Sequence, residues 1–418
     1  MKHQIHDMKN KMLNNTKVVE NYFFMTLLQV LSSILGIVIY PYLIRLLGAE
    51  TYGNYVFAIA IISYFTGIIA FGFQLPGLKL ITQNIYENKN KGEIVSGILS
   101  AKFYLTILCS IIFFLLLFIF TDLYEKRLLL IIVYTQIIAE LFNPTWYFQA
   151  VQKMKIVTYY QLFFRFISLP LIFIFVRTAN DLYIFALISS TTVVLPALLL
   201  IHYLIFLEKI KIRLVSFSKT RIYFKEALPL FVSSFLGTIK QESVTVLIGI
   251  YFGMKDVALY DLANKIIIFP RMLLNNINVA IFPKMNENLT SEKIKKTIRY
   301  EWIIGILMMT AVTLFGYPLV LLLGGPSMTD AYLLAVILSF TILVWLVVGS
   351  YIYFIFIPKG LNYYVTLNQG VALISFFLFV FPAFFFFKSI IAVVIALSLS
   401  GLAEIIYCRI TVKKNSIL

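Results

Sequence analysis

Four cations lie deep inside stretches long and apolar enough to cross a bilayer: Arg165, Lys240, Lys265 and Arg271. A basic residue at the centre of a membrane helix costs about 2.5–3.5 kcal/mol on insertion scales. Four on one chain are tolerable only if they face a watery cavity or one another. A basic cavity inside a membrane suits an anionic passenger, because phosphates and carboxylates are what Lys and Arg bind best.

The stretch around Lys265 carries the densest pattern. At 100° per residue, Asp261, Asn264, Lys265, Arg271, Asn275 and Asn278 share an arc of about 140°. The stripe is ~25 Å long, nearly the full hydrocarbon thickness. A polar seam between packed helices would account for one or two such residues; six spanning the bilayer favour the wall of a lumen. Asp261 and Lys265 also stand four residues apart with the acid first, the better order for a helical ion pair.

Lys240-Gln241-Glu242-Ser243 lies near the middle of another apolar stretch. Adjacent opposite charges cannot share one helix face, so Lys240 and Glu242 need different partners. Lys240 can bind a phosphate. Glu242 is open to two uses, a protonatable coupling site or a counter-charge to Arg271. Arg165 sits about 15 Å into its span, and Glu140 lies at comparable depth in the preceding one. Those two either pair or face the lumen separately. Arg45 and Lys79 lie near span ends, where long cations snorkel to headgroups. Lys102 and Glu301 read as shallow, and Glu404 as deep but peripheral, being in the last span. Trp146 and Tyr147, in Asn143-Pro144-Thr145-Trp146-Tyr147-Phe148-Gln149, read first as interfacial anchors and second as a sugar-stacking platform.

The elements that position these residues are membrane helices. The chain of 418 residues is 61% hydrophobic, only 13% charged, and has a mean hydropathy of +0.92, which excludes an ordinary soluble domain. Twelve apolar runs are long enough to span: 22–46, 53–75, 98–120, 128–150, 156–176, 182–206, 227–252, 257–282, 300–323, 331–357, 363–386 and 389–410. With the N-terminus placed inside, only Lys126, Arg127, Arg177, Lys255 and Lys388 fall in loops on the outer side. That asymmetry puts both termini in the cytoplasm. It also accounts for the net charge of +16 as a polybasic face toward anionic lipid, without nucleic acid.

The longest inter-span segments, 207–226 and 283–299, are too short for a soluble catalytic domain, which argues against a membrane enzyme. Cys109 and Cys408 sit in apolar surroundings, and no histidine has ligand spacing, so no disulfide framework or metal site is expected. The first apolar run lacks the cleavage pattern of a signal peptide. Pro41, Pro170, Pro229, Pro270 and Pro283 interrupt or bound spans and supply kinks or hinges.

An internal repeat organises the whole. At an offset of 205 residues, Leu43–Ala58 matches Ile248–Ala263, pairing Gly48 with Gly253, Tyr55 with Tyr260 and Ala58 with Ala263. The match lays the end of span 1 on the end of span 7, as a six-span duplication requires. Because six is even, both halves enter the membrane in one direction, and their pseudo-twofold lies along its normal. The expectation is an all-α integral membrane protein of two six-helix lobes. A tail (1–20) precedes an N-lobe (21–206), a basic linker (207–226) and a C-lobe (227–418).

These motifs resemble the Wzx-type O-antigen flippases, in the polysaccharide-transport branch of the multidrug/oligosaccharidyl-lipid/polysaccharide exporter superfamily. The resemblance rests on Tyr40-Pro41-Tyr42-Leu43-Ile44-Arg45-Leu46-Leu47-Gly48, Tyr52-Gly53-Asn54-Tyr55 and Phe71-Gly72-Phe73. It continues through Asn143–Ala150 with Lys153-Met154, Arg165 with Ser168, and Asn180-Asp181-Leu182. It is strong over residues 20–185 and patchier beyond.

The resemblance implies a carrier of undecaprenyl-diphosphate-linked repeat units from the cytoplasmic to the periplasmic leaflet of the bacterial inner membrane. It also implies lumen roles for Arg45, Lys79 and Arg165, and coupling to an H+ or Na+ gradient with no other cofactor. Implied partners are the lipid-linked oligosaccharide, membrane lipid, and the O-antigen polymerase and chain-length regulator. The competing reading is a cation-coupled multidrug or metabolite antiporter of the same superfamily, which calls for an acidic lumen.

Overall fold

The computed structural model describes residues 2–84, 88–286 and 290–415, with side chains described for 17–84, 91–268, 270–272, 274 and 290–415. Apolar runs in lipid must satisfy every backbone group internally, and helix is the local way to do so. The described residues form helices α1 (Lys2–Leu47), α2 (Ala49–Ala70), α3 (Gln74–Gln83), α4 (Asn88–Ile119), α5 (Thr121–Glu125), α6 (Arg127–Tyr134), α7 (Gln136–Leu141) and α8 (Thr145–Ala150). They continue as α9 (Met154–Phe175), α10 (Leu182–Phe206), α11 (Phe217–Tyr251), α12 (Met254–Asn286), α13 (Ser291–Gly324), α14 (Ala331–Tyr351), α15 (Asn362–Phe387) and α16 (Ile390–Lys414). A π-helical stretch, Ile352–Phe356, prolongs α14.

Eleven helical segments among the described residues are long and apolar enough to cross a membrane, so the chain is a multi-pass membrane protein. The eighth expected span is α12, 33 residues long and not among those eleven. Its Asp256, Asp261, Asn264, Lys265 and Arg271 make it the polar helix of the set.

Two expectations need correction. The fourth span is not one helix: it breaks into α6, α7 and α8. Pro144 has no N–H to continue α7, and Asn143 Oδ1 instead accepts from the Thr145 N–H (3.2 Å) and hydroxyl (2.5 Å), seeding α8. The aromatic run on α8 is neither an interfacial belt nor a sugar platform. Trp146, Tyr147 and Phe148 are buried in a core with Phe73, Ile98 and Leu204. Gly77 of α3 is what admits the Trp146 ring, since a Cβ there would come within 2.7 Å of it.

The chain divides by packing into two compact units, residues 1–39 with 65–231, and residues 40–64 with 232–418. In the first unit the connection from α10 to α11 is a strap held along α4. It leaves α10 through Lys209, which takes a left-handed conformation (φ 55°), while the Ile210 N–H reaches back to the Leu204 carbonyl (3.1 Å). A non-glycine residue there costs about 1 kcal/mol. The strap then runs along α4. Arg213 N–H donates to Ser96 Oγ (3.0 Å), Val215 N–H to Ser100 Oγ (2.9 Å), and the Tyr104 hydroxyl to the Val215 carbonyl (2.9 Å).

In the second unit the two repeated segments have matching geometry. Gly48 (φ 78°) separates α1 from α2, and Gly253 (φ 101°) stands between α11 and α12. Each glycine N–H bonds a carbonyl of the helix before it, that of Ile44 or of Ile248. The copies also pack on one another: a Cβ at Gly53 would overlap the Met254 carbonyl, and one at Gly249 the Phe57 ring.

Candidate functional site: intramembrane cations and their partners

In the first unit, Lys102 of α4 is 3% exposed and not shallow as expected. Its ammonium donates to both the side chain (2.7 Å) and the backbone carbonyl (2.9 Å) of Glu140. Glu140 therefore neutralises Lys102 and leaves Arg165 without it. The break after α7 makes this possible, because the carbonyls of a last helical turn lack intrahelical donors. Arg165, half-buried on α9, makes no side-chain hydrogen bond or ion pair among the described residues; only its carbonyl is used, by Ser168 (2.7 Å). Lys79 is exposed on α3. Beside α8, Glu208 takes Lys153 (2.5 Å) and faces the Tyr147 hydroxyl (3.5 Å).

In the second unit, Lys240 of α11 reaches Glu404 of α16 at 2.5 Å. Glu404 is thus not peripheral: its other oxygen faces Asn368 Nδ2 (3.4 Å), whose Oδ1 in turn lies 3.5 Å from the Cys408 sulfur. Both cysteines are buried and free. Lys265 pairs with Asp261 within α12, as the spacing led one to expect. The Tyr52 hydroxyl donates to the same carboxylate (3.1 Å). Tyr40 and Tyr52 present their rings to the ammonium, at 5.1 and 5.8 Å.

Arg271 differs from these lysines. Its guanidinium lies 5.9 Å from the Trp345 ring centre and makes no hydrogen bond or ion pair among the described residues. Glu404 is within electrostatic reach but is held by Lys240. Glu242, half-buried, is not Arg271's ion-pair partner and has none among the described residues; Ser243 beside it bonds Tyr64 (2.9 Å). Arg45 donates to the Leu322 carbonyl (3.1 Å), in the last turn of α13, where a cation complements the helix dipole. Asn264 is half-buried on α12; the side chains of Asn275 and Asn278 lie outside the described residues. Glu301, expected to be shallow, is 4% exposed and bonded to Ser350.

Sequence reading missed Lys102, Glu404, Asn368 and Trp345 as members of these clusters. The signal was present in part: Lys102 and Glu140 are opposite charges on neighbouring spans, and Glu404 is a lone acid deep in the last one. Trp345 offered none, since an aromatic residue in an apolar helix is ordinary.

The chemistry separates by cation type. The ammonium groups of Lys102, Lys240 and Lys265 are each neutralised by a carboxylate, whereas the guanidiniums of Arg165 and Arg271 are not. A guanidinium without an acid in an apolar setting keeps its donors open to a planar or tetrahedral anion.

Comparison with known proteins places the chain. It is 24% identical over 338 residues to a protein named "Putative O-antigen transporter" from Escherichia coli (strain K12), covering 78% of this chain and 80% of that one. A protein of the same name from Shigella dysenteriae is 25% identical over 257 residues, 60% of this chain and 63% of that one. Among solved structures, the lipid II flippase MurJ in an inward closed conformation superposes with a TM-score of 0.72 at 12% identity, covering 94% of this chain and 87% of that one. An inward-facing multidrug-resistance MATE transporter of the MOP superfamily follows at 0.62 and 12% identity, covering 92% and 99%. At such identities these structures speak for the fold alone. The family model described as "Polysaccharide biosynthesis protein" matches residues 18–289, and the chain belongs to that family.

Proposed function

We propose that the chain is a flippase for undecaprenyl-diphosphate-linked surface-polysaccharide repeat units, moving them from the cytoplasmic to the periplasmic leaflet of the bacterial inner membrane. The observation that carries this reading is the pair of intramembrane guanidiniums, Arg165 and Arg271, left without acids while the lysines around them are neutralised. A diphosphate headgroup supplies the anion that such groups lack. The names of the relatives and the fold shared with a lipid flippase support the lipid-linked cargo. In this reading two six-helix lobes, 21–206 and 227–418, alternate access to a cationic cavity, with both termini in the cytoplasm. The polyprenyl tail stays in lipid, and an H+ or Na+ gradient drives the cycle. Arg45 and Lys79 receive the headgroup at the ends of the path, and Asn264, Asn275 and Asn278 hydrate the sugars.

The test is complementation of a deletion strain with no spare flippase. Arg165→Gln and Arg271→Gln should each cut surface-polysaccharide output about tenfold or more, the scale of a lost charged hydrogen bond. Lipid-linked repeat units should accumulate on the cytoplasmic leaflet, and thermal stability should hold or rise because an unpaired buried charge is gone. Unchanged polysaccharide in the deletion strain would overturn the proposal.

Glu242 favours the second reading, a cation-coupled multidrug or metabolite antiporter. A half-buried carboxylate without a partner among the described residues is what an organic cation would seek. Ion-stimulated efflux of cationic compounds that Glu242→Gln abolishes, with polysaccharide export intact, would favour it.

A further inference from the structure

The strap between α10 and α11 carries a row of charge unlike the intramembrane clusters. Its alternation is two-residue: Ile210 and Ile212 turn inward onto the core, while Lys209, Lys211 and Arg213 turn outward and are exposed. Extended-chain spacing would set Lys211 and Arg213 about 6.6 Å apart. None of the three has an ion pair among the described residues. The nearest acid in sequence, Glu208, is already held by Lys153 and Tyr147.

The row is fixed in place. Hydrogen bonds accepted by Ser96 and Ser100 and donated by Tyr104 tie the strap's backbone to a membrane helix, and Gly92 lets the Lys211 carbonyl approach α4 closely, at 3.3 Å from where a Cβ would stand. Lys209 is also retained in a left-handed conformation that glycine would adopt without strain. A strained residue held at a functional surface is a reason to ask what its side chain does.

The strap has a polar end and an apolar end. From Gly92 to Ser100 it descends about 12 Å along α4 toward that helix's apolar stretch. At the lower end Leu214 is 70% exposed and Phe217 62% exposed, with Phe217 edge-on to Tyr104. Cations above and bare apolar side chains below, beside a membrane span, match the profile of a phospholipid from headgroup to acyl chain. An acidic protein surface would complement the cations but not the exposed Leu214 and Phe217.

We propose that Lys209, Lys211 and Arg213 form a fixed binding site for the phosphates of anionic phospholipid headgroups, with Leu214 and Phe217 against the acyl chains. The site is separate from Arg165 and Arg271 and does not depend on the transported substrate. It stands whether or not the flippase reading holds.

Native mass spectrometry of the full chain in detergent, titrated with phosphatidylglycerol or phosphatidylcholine, tests it. Phosphatidylglycerol should be retained preferentially. The triple variant Lys209→Gln, Lys211→Gln, Arg213→Gln should weaken that retention about tenfold or more, since each basic residue near an anionic surface adds to binding. An equally charged control, Lys219→Gln, Arg221→Gln, Lys225→Gln on α11, should change it less than about threefold if position matters beyond net charge. Ser96→Ala with Ser100→Ala keeps every charge but frees the strap, and should also weaken retention. Lys209→Gly should raise thermal stability without lipid while lowering lipid retention, a split that misfolding does not produce. Equal losses in the two triple variants, or no preference for phosphatidylglycerol, would overturn the site. So would retention of undecaprenyl diphosphate in place of phosphatidylglycerol by these residues.

Discussion

Each unit buries a lysine against a glutamate, yet the two pairs are built differently. Lys102 meets Glu140 where a span is broken, so one residue supplies both a carboxylate and a carbonyl. Lys240 meets Glu404 between two continuous helices, and the remaining polar demand passes to the side chains of Asn368 and Cys408. A broken helix lends its backbone to a buried charge. An unbroken one must recruit side chains; its lysine is the more open of the two, at 16% against 4% side-chain exposure, and its glutamate the more closed, at 10% against 23%.

Breaking the first pair should cost most. Lys102→Leu should destabilise the detergent-solubilised protein by about 3–5 kcal/mol, because Glu140, half-buried, is left without its ion-pair partner. Adding Glu140→Leu should restore much of the loss in thermal unfolding; a double variant as unstable as the single one would mean the pair is not the cause. Lys240→Met should cost less, about 2 kcal/mol, since Glu404 keeps the Asn368 amide. Equal losses at Lys102 and Lys240 would erase the distinction between backbone and side-chain support. Asn143→Ala tests the break itself: losing the turn that Asn143 Oδ1 makes with Thr145 should cost about 1 kcal/mol in the same melts. The coupling between Lys102 and Glu140, measured by a double-mutant cycle, should shrink in that background. The smallest effect belongs to Asp261 and Lys265, whose pair lies within one helix. A cycle with Asp261→Asn and Lys265→Gln should give about 0.5 kcal/mol, and a value several-fold larger would mean the Tyr40 and Tyr52 rings desolvate the pair.

Most of the architecture was legible because hydropathy decides it. The expected span 182–206 and α10 coincide, and 331–357 became α14 with its π-helical extension. The repeat was legible through glycine, since Gly48 and Gly253 both occupy backbone that other residues avoid. The pair Asp261–Lys265 was legible because its geometry is local. What failed was what depends on neighbours. Glu140 could reach cations on either adjacent span, and only packing chose Lys102 over Arg165. Trp146 and Tyr147 have the composition of an interfacial belt, and the space left by Gly77 puts Trp146 in the core instead.

The division of the chain into units has one more consequence. The chain passes between them at 39/40, 64/65 and 231/232, each time inside a helix, α1, α2 and α11, instead of in a loop. Pro41 and Pro229 stand within two residues of the first and the last of these, and neither can donate to the carbonyl four residues back, Ile37 or Lys225. α1 and α11 thus each lose one rung of their backbone ladder close to a passage, whereas α2 has no proline at its own.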